Sequence, residues 1–242
     1  KFKSFALWQN VNGGDGNGVF GREFRLLYGE PRFAGHECGV HFEAGPNTFL
    51  QVNRGVCRKL YERVARFGLE SGATAPIDAY SGGGILTALL ARQIGKAYGI
   101  EAVAEASACA DALVEPNKLE GRMFNICGRV EDKLPEVLNG LIAKETFLVV
   151  DPPRKGVDRG TLRALLESGI PRIAMISCNP ATMARDVGIL TGSLVEEGNE
   201  LKKNPNYTAG GKDGYYSIVS VQPFDMFPQT KWVETLVCLE RK

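Results

Sequence analysis

The feature that most constrains the fold is a regular alternation of β-rich and helical segments that begins near residue 76. Short apolar runs alternate with stretches of helical spacing, which is the pattern of βαβ units around a parallel sheet. The predicted strands lie near 76–80, 97–101, 123–127, 147–151, 172–177, 216–224 and 233–240, and the predicted helices near 84–94, 104–117, 158–168 and 180–190. The sequence therefore predicts an α/β protein with a mostly parallel seven-stranded sheet and helices on both faces.

The ends of this block have a different pattern. Predicted strands flank the glycine-rich loop 12–18, so we expect 1–45 to form a small β-rich segment that is part of a substrate-binding subdomain. Apolar positions at helical spacing predict a helix over 51–67. We assign 46–242 to one large domain, in which the Gly-, Asn-, Lys- and Glu-rich stretch 191–215 forms an exposed insertion or a longer hairpin.

Composition excludes several classes of protein. No apolar run approaches the roughly 20 residues that span a bilayer, and the amino terminus lacks a signal-peptide core, so we expect a cytoplasmic protein that does not contact a membrane. The six cysteines and two histidines contain no Cys-x-x-Cys pair, and we predict neither a metal site nor an iron–sulfur cluster. A net charge of +1 leaves nucleic-acid binding open, because a balanced total can include a basic face.

Two chemically useful side chains follow predicted strands. Cys178, in the sequence Ser-Cys-Asn-Pro, comes directly after one apolar run, and Asp151, in Asp-Pro-Pro-Arg, comes directly after another. Ligands of open parallel sheets bind outside the carboxyl ends of the strands, so we expect both residues in one crevice. Arg154 and Lys155 continue the second loop and are the basic residues best placed to bind a phosphate.

A glycine-rich segment, 78–84, ends the first predicted parallel strand and opens a helix, where glycines let a ligand approach the backbone. As a dinucleotide fingerprint it begins at Gly82 and Gly84, but Thr87 occupies the third glycine position, which disfavours a diphosphate. Glu101 ends the next strand, where an acidic residue accepts hydrogen bonds from ribose hydroxyls; the alternative is a solvated loop carboxylate. A nucleoside without a diphosphate indicates S-adenosylmethionine as cofactor.

Five separated segments then resemble, in order, the motifs of the 5-methyluridine RNA methyltransferases, which act on tRNA or ribosomal RNA. Together they cover roughly 45–242, and the combination is far more specific than any one segment. The segments are Phe49-Leu50-Gln51-Val52-Asn53, 78–84, Asp151-Pro152-Pro153-Arg154-Lys155-Gly156, Ser177-Cys178-Asn179-Pro180-Ala181-Thr182 with Arg185-Asp186, and Asp225-Met226-Phe227-Pro228-Gln229-Thr230 with Val233-Glu234-Thr235.

The resemblance implies a Rossmann-like S-adenosylmethionine-dependent methyltransferase fold and an RNA partner, rRNA or tRNA. It implies that Cys178 is the nucleophile and Glu234 the base. Thiolate addition at carbon 6 of uracil makes carbon 5 nucleophilic, and a positioned carboxylate then removes the carbon 5 proton. The implied binding residues are Gln51, Tyr80, Gly82, Gly84, Glu101 and Asp151 for the cofactor, and Arg154, Lys155 and Asn179 for the RNA.

The chain departs from the family pattern at several positions. Ile85 stands where a small polar residue is usual, Ser81 replaces a Cys, and Trp232 replaces a His. The insertion places Glu234 unusually far from Cys178, so its assignment depends on the preceding segment. Many members carry a small amino-terminal RNA-binding β-barrel that this chain lacks, which leaves a fragment or a minimal form open.

Four alternatives stay open. Cys178 could be a buried structural thiol, the commonest role of a free cysteine. An enzyme that methylates a base amino group typically has Asn-Pro-Pro-Tyr at this strand end and needs no thiol, and a cytosine carbon 5 enzyme has different cysteine motifs. A noncatalytic RNA-binding module with the same fold is the fourth. We expect a monomer.

Overall fold

The structure is a computed structural model that describes residues 5–13, 21, 23–46, 48, 50–197, 200–208 and 215–242. Most of the predicted loop 12–18 and Phe49 of the first motif lie outside these residues. The strands are β1 (Ala6–Val11), β2 (Glu23–Gly29), β3 (Phe33–Glu37), β4 (Val40–Ala44), β5 (Ala75–Ala79), β6 (Ala97–Glu101), β7 (Met123–Cys127), β8 (Thr146–Val150), β9 (Arg172–Ser177), β10 (Leu194–Glu197), β11 (Glu200–Lys203), β12 (Tyr216–Phe224) and β13 (Glu234–Arg241). The helices are α1 (Arg54–Leu69), α2 (Ile85–Gln93), α3 (Ala104–Asp111), α4 (Val130–Asn139), α5 (Arg159–Glu167) and α6 (Pro180–Thr191), with a short 3₁₀ helix at Ala143–Glu145.

A seven-stranded sheet forms the centre of the molecule, in the order β12-β13-β9-β8-β5-β6-β7. Strands β5 to β9 pair in parallel, whereas β13 pairs antiparallel with both β9 and β12. All seven strands predicted from the sequence occur, and the expected mostly parallel sheet is confirmed. Because β13 runs against its neighbour, its first residue lies at the edge where β9 ends.

Both faces of the sheet are covered by other parts of the protein. Every residue of the central strand β8 is therefore buried, whichever face its side chain points to. Successive side chains point to opposite faces. Phe147 and Val149 therefore join a cluster that includes Leu60 of α1 and residues of α2. Leu148 and Val150, on either side of Val149, join a second cluster with residues of α4, α5 and α6. Burial on two faces fixes the sheet and so the positions of the strand ends.

Three short antiparallel pairs accompany the main sheet: β1 with β2, β3 with β4, and β10 with β11. The β10–β11 hairpin lies within the stretch 191–215. The β3–β4 hairpin packs on the main domain through Val40, Phe42 and Ala44, which belong to the same buried cluster as α1. Division of the chain at residue 45 stays a prediction.

Two predicted helix boundaries were wrong. Helix α1 begins at Arg54 rather than near 51, because the Asn53 side chain accepts the Val56 N–H (3.3 Å) and caps the helix. Helix α3 ends at Asp111 rather than near 117. Turns follow it, and there the Asn117 amide donates to the carbonyl of His41 (2.7 Å), which ties this segment to the β3–β4 hairpin.

Candidate functional site

The predicted site residues converge because four parallel strands end at one edge of the sheet. Tyr80 follows β5, Glu101 ends β6, Asp151 follows β8 and Cys178 follows β9. Glu234 reaches the same edge from the opposite direction, as the first residue of antiparallel β13. The sheet thus gathers residues from five separate parts of the chain.

Strand register places Glu234 beside Cys178. Thr235 pairs with Ser177 across the β9–β13 ladder, so the residues on either side of this pair are neighbours at the sheet edge. Glu234 is only 4% exposed, and its Oε1 has no hydrogen-bond partner among the described residues. A buried carboxylate oxygen without a donor is costly in a folded protein, and such a group is a candidate for contact with a ligand.

Burial and neighbouring charge make the protonated forms of these groups favourable. Burial, together with the charge of Asp151, raises the pKa of the Glu234 carboxyl to about 8. Burial alone raises the pKa of Asp151 to about 6. For the Cys178 thiol, burial and then Glu234 raise the pKa, while a hydrogen bond from Arg154 lowers it. Proton transfer near neutral pH is therefore accessible at this cluster.

The loop after β8 is fastened to the start of α6. The Asn179 side chain donates to the backbone carbonyl of Arg154 (3.0 Å) and also caps α6 by accepting the Ala181 N–H (3.2 Å). Thr182 Oγ1 donates to the same Arg154 carbonyl (3.3 Å). These bonds link the segment that carries Asp151 to the segment that carries Cys178. The side chain of Asn179, predicted to bind RNA, is thus engaged within the protein.

A second set of bonds holds the same loop further along. The Arg185 guanidinium donates to the carbonyl of Lys155 (3.1 Å), and the Asp186 carboxylate accepts the Val157 N–H (2.8 Å). Gly156 between them has a φ of +82°. A Cβ at this position would lie 2.4 Å from Arg185 Nη2 and 2.6 Å from Asp186 Oδ2. Glycine is therefore required by both backbone conformation and space.

A cavity of about 480 Å³ opens next to this cluster. Of the predicted cofactor residues, Gln51, Tyr80, Gly82 and Asp151 line it. Gln51 Oε1 is buried and has no hydrogen-bond partner among the described residues, so a donor group on a ligand would satisfy it. The volume lies within the range of about 300–1,000 Å³ that is usual for small-molecule sites.

The glycine loop is held by Glu101, which is not part of the cavity lining. Its Oε2 accepts the Gly82 N–H (2.9 Å) and its Oε1 accepts the Val103 N–H (2.7 Å). A carboxylate has about four acceptor sites, so Glu101 retains capacity for ribose hydroxyls. Gly84 adopts φ +80°, and a Cβ there would lie 2.6 Å from the Cβ of Ala110. Gly84 therefore serves the close approach of α2 and α3.

Asp78 and Thr87 form a buried support below the glycine loop. Thr87 Oγ1 donates to Asp78 Oδ2 (2.6 Å), and both side chains are buried. Burial raises the pKa of Asp78 to about 7. The residue that breaks the dinucleotide fingerprint is thus a structural hydrogen-bond donor.

Sequence reasoning missed one part of the cavity wall, the β3–β4 hairpin. The β3–β4 hairpin contributes Phe33, Gly35, Glu37 and Phe42. Glu37 is buried and forms an ion pair with Arg54 of α1 (Nε–Oε2 2.7 Å), which also lines the cavity. The alternation of apolar residues in 40–44 was the available signal, but a hairpin pattern does not reveal what the hairpin packs against.

The last resembling segment is tied to the first. The Asn53 side chain donates to the backbone carbonyl of Asp225 (3.5 Å), and Met226 is fully buried. Lys155 and Arg154 are exposed beside the site.

Among the helices of the described residues, none has the length and apolar character to cross a membrane. No cluster of three or more potential metal ligands occurs in that part of the chain either.

Similarity to known proteins agrees with this arrangement. The model of the tRNA (uracil-5-)-methyltransferase family matches residues 133–196, which include Asp151 and Cys178. An uncharacterized RNA methyltransferase of Enterococcus faecalis is 34% identical over 98% of this chain and 47% of its own length. The uncharacterized RNA methyltransferase YljE of Lactococcus lactis is 36% identical over 96% of this chain and 46% of its own length. These similarities support the tRNA (uracil-5-)-methyltransferase family for this chain.

The chain spans about half the length of the curated relatives that it matches. Among solved structures it is similar to the Pyrococcus abyssi tRNA (uracil-54, C5)-methyltransferase in complex with S-adenosyl-L-homocysteine. The TM-score is 0.70 at 22% identity, over 97% of this chain and 50% of that one. At this identity the likeness concerns the fold, and it confirms the expected Rossmann-like methyltransferase architecture.

Proposed function

We propose that this chain catalyses S-adenosylmethionine-dependent methylation of carbon 5 of a uridine in tRNA or rRNA, through a covalent Cys178 adduct. The observation that carries the proposal is the Thr235–Ser177 pairing, which sets the buried Glu234 beside Cys178. Thiol, carboxyl and the Asp151 carboxyl then share one crevice. The two carboxyls oppose ionisation of the thiol, and the Arg154 guanidinium favours it.

The cavity residues fit S-adenosylmethionine. Gln51 offers an unpartnered amide oxygen to the amino group of the ligand, and the glycine loop leaves the backbone accessible at Gly82. Glu101, which holds this loop from outside the cavity lining, retains acceptors for the ribose. Tyr80 and Asp151 complete the lining that the sequence predicted. When bound, S-adenosylmethionine supplies the methyl group.

The chain's own groups carry the remaining steps. The Cys178 thiolate adds to carbon 6 of the uracil, and the electrons of the 5,6 double bond make carbon 5 nucleophilic. Once carbon 5 is methylated, the Glu234 carboxylate takes the carbon 5 proton. The electrons of that C–H bond restore the double bond, and the C–S bond breaks with its electrons on sulfur. Cys178 is thereby regenerated as a thiolate.

RNA that contains 5-fluorouridine tests the nucleophile, because fluorine at carbon 5 cannot leave as a proton and the adduct persists. Wild-type protein, S-adenosylmethionine and fluorinated tRNA or rRNA transcripts should give a complex that survives denaturing electrophoresis. Cys178→Ala should give none. Cys127→Ala is the matched control, since Cys127 ends strand β7 and is exposed. An adduct formed by Cys178→Ala at the wild-type level would reject the nucleophile assignment.

The same assay addresses a noncatalytic RNA-binding module. Such a module would bind the transcripts without forming the adduct and without transferring a labelled methyl group. The Pyrococcus enzyme is named for uracil-54 of tRNA, so tRNA and rRNA transcripts should be tested in parallel. The transcript that forms the adduct identifies the RNA class, and mapping of the fluorinated position that is trapped identifies the uridine.

A further inference from the structure

Trp232 carries the guanidinium of Arg154 on its ring. The Arg154 Cζ lies 4.4 Å from the ring centroid, and Lys231 Nζ lies 5.1 Å from it. Trp232 follows a tight turn. Its backbone N–H donates to Thr230 Oγ1 (3.1 Å), and this hydroxyl donates to the Phe227 carbonyl (2.8 Å). The indole thus occupies a defined place two residues before Glu234.

Few other contacts fix the position of the Arg154 guanidinium. Its backbone carbonyl is held by Asn179 and Thr182, but no carboxylate of the described residues forms an ion pair with its guanidinium. The side chain is long and the residue exposed, so without the ring it would sample many rotamers. Among aromatic side chains, Trp forms the strongest cation–π contacts, and contact with the Trp232 ring selects one Arg154 rotamer.

The selected position matters because Arg154 lies beside Cys178. Its carbonyl accepts from the side chain of Asn179, the residue after Cys178 (3.0 Å), and its guanidinium lowers the pKa of the thiol. The charged groups that face Cys178 are Glu234 from β13, Asp151 from the end of β8 and Arg154 from the following loop. Both carboxyls disfavour the thiolate, and Arg154 alone among the three favours it. Loss of the Arg154 position would leave the Cys178 thiol with two carboxyls that oppose its ionisation and without the guanidinium that favours it.

We propose that Trp232 is a positioning residue, whose ring holds the Arg154 guanidinium against Cys178 so that the thiolate forms. The inference rests on the proposed function in that a thiolate is useful only to a nucleophile. The family resemblance does not supply it, because Trp232 is the position at which this chain departs from the usual His.

The test measures the reactivity of Cys178 directly, in the full chain and without RNA. The rate of alkylation of Cys178 by iodoacetamide is followed by peptide mass spectrometry as a function of pH. Trp232→Ala and Arg154→Ala should both move the midpoint upward, with a roughly three- to tenfold lower rate near pH 7, as a shift of about half to one pH unit implies. Trp232→Phe keeps a π face and should restore most of the rate, and Lys231→Ala should behave as wild type.

A double variant separates positioning from a general packing effect. If Trp232 acts through Arg154, Trp232→Ala adds no further shift in an Arg154→Ala background. A midpoint unchanged in Trp232→Ala but raised in Arg154→Ala would overturn the proposal, as would additive shifts. If far-ultraviolet circular dichroism shows that Trp232→Ala is unfolded, the same measurement is made on Trp232→Leu, which keeps apolar bulk without a π face.

Failure of this inference differs from failure of the proposed function. Alkylation reports the thiol whether or not it is catalytic, so an unchanged midpoint rejects only the role of Trp232. An adduct with fluorinated RNA in Cys178→Ala rejects the nucleophile, whatever the alkylation profiles show.

Discussion

Glu234 and Cys178 are 56 positions apart in the sequence and are neighbours at one sheet edge, because Thr235 pairs with Ser177. The antiparallel direction of β13 produces this relationship. A parallel final strand would bring its last residue to this edge and would place Glu234 at the opposite one. The separation created by the 191–215 stretch therefore has no effect on the local geometry of the pair.

The first prediction concerns the base. Glu234→Gln should retain cofactor binding and form the RNA adduct, but the adduct should accumulate because no carboxylate removes the carbon 5 proton. Transfer to released product should fall by roughly 10²–10⁴-fold, measured with labelled methyl groups under single-turnover conditions. Glu240→Gln, at the other end of the same strand, should turn over normally. Normal turnover by Glu234→Gln would contradict the assignment.

The second prediction concerns stability. The pKa of Glu234 is about 8 in the fold against 4.5 ordinarily, so the folded state binds its proton more tightly than the unfolded chain. The free energy of unfolding contributed by this group is therefore complete below about pH 4.5 and declines as pH rises towards 8. Glu234→Gln should be more stable than wild type by roughly 3–5 kcal/mol near pH 8 and about equal near pH 4.5.

Urea denaturation at both pH values measures this difference. A gain of the same size at both pH values would show that packing, rather than ionisation, separates Glu234 from Gln, and would contradict the raised pKa.

The third prediction concerns the loop after β8. Gly156→Ala should lower the free energy of unfolding by roughly 1–3 kcal/mol and reduce methyl transfer, because the new Cβ displaces Arg185 and Asp186. Gly72→Ala is the control. Its φ is +73° with no atom within 4 Å of an added Cβ, so it costs backbone strain alone and should leave the methyl-transfer rate of the folded protein unchanged. Equal losses of activity in both variants would count against a specific role of the loop.

The fourth prediction concerns the glycine loop. Glu101 accepts two backbone N–H groups through separate oxygens, whereas glutamine has one acceptor oxygen. Glu101→Gln should therefore loosen the loop and weaken binding of S-adenosylhomocysteine by roughly 10- to 100-fold, measured by titration calorimetry. The exposed Glu120 provides a matched Glu→Gln control. An unchanged Kd in Glu101→Gln would remove Glu101 from the cofactor site.

Local patterns predicted the elements of the sheet well, because hydrophobic periodicity and turn residues act between near neighbours. Helix ends were less accurate. Pro116 suggested a stop near 117, but α3 ends at Asp111. The bond from Asn117 to His41 stabilises turns in this place, and its partner lies 76 positions away.

The sequence by itself determined which side chains follow each strand, and hence that Asp151 and Cys178 meet at one edge. Only the tertiary structure decided which side chains face them. The register of β13 brings Glu234 to the thiol, the β3–β4 hairpin closes the cavity, and Trp232 holds Arg154. These relationships arise from packing between segments far apart in the chain, where no local periodicity records which residue will be opposite which.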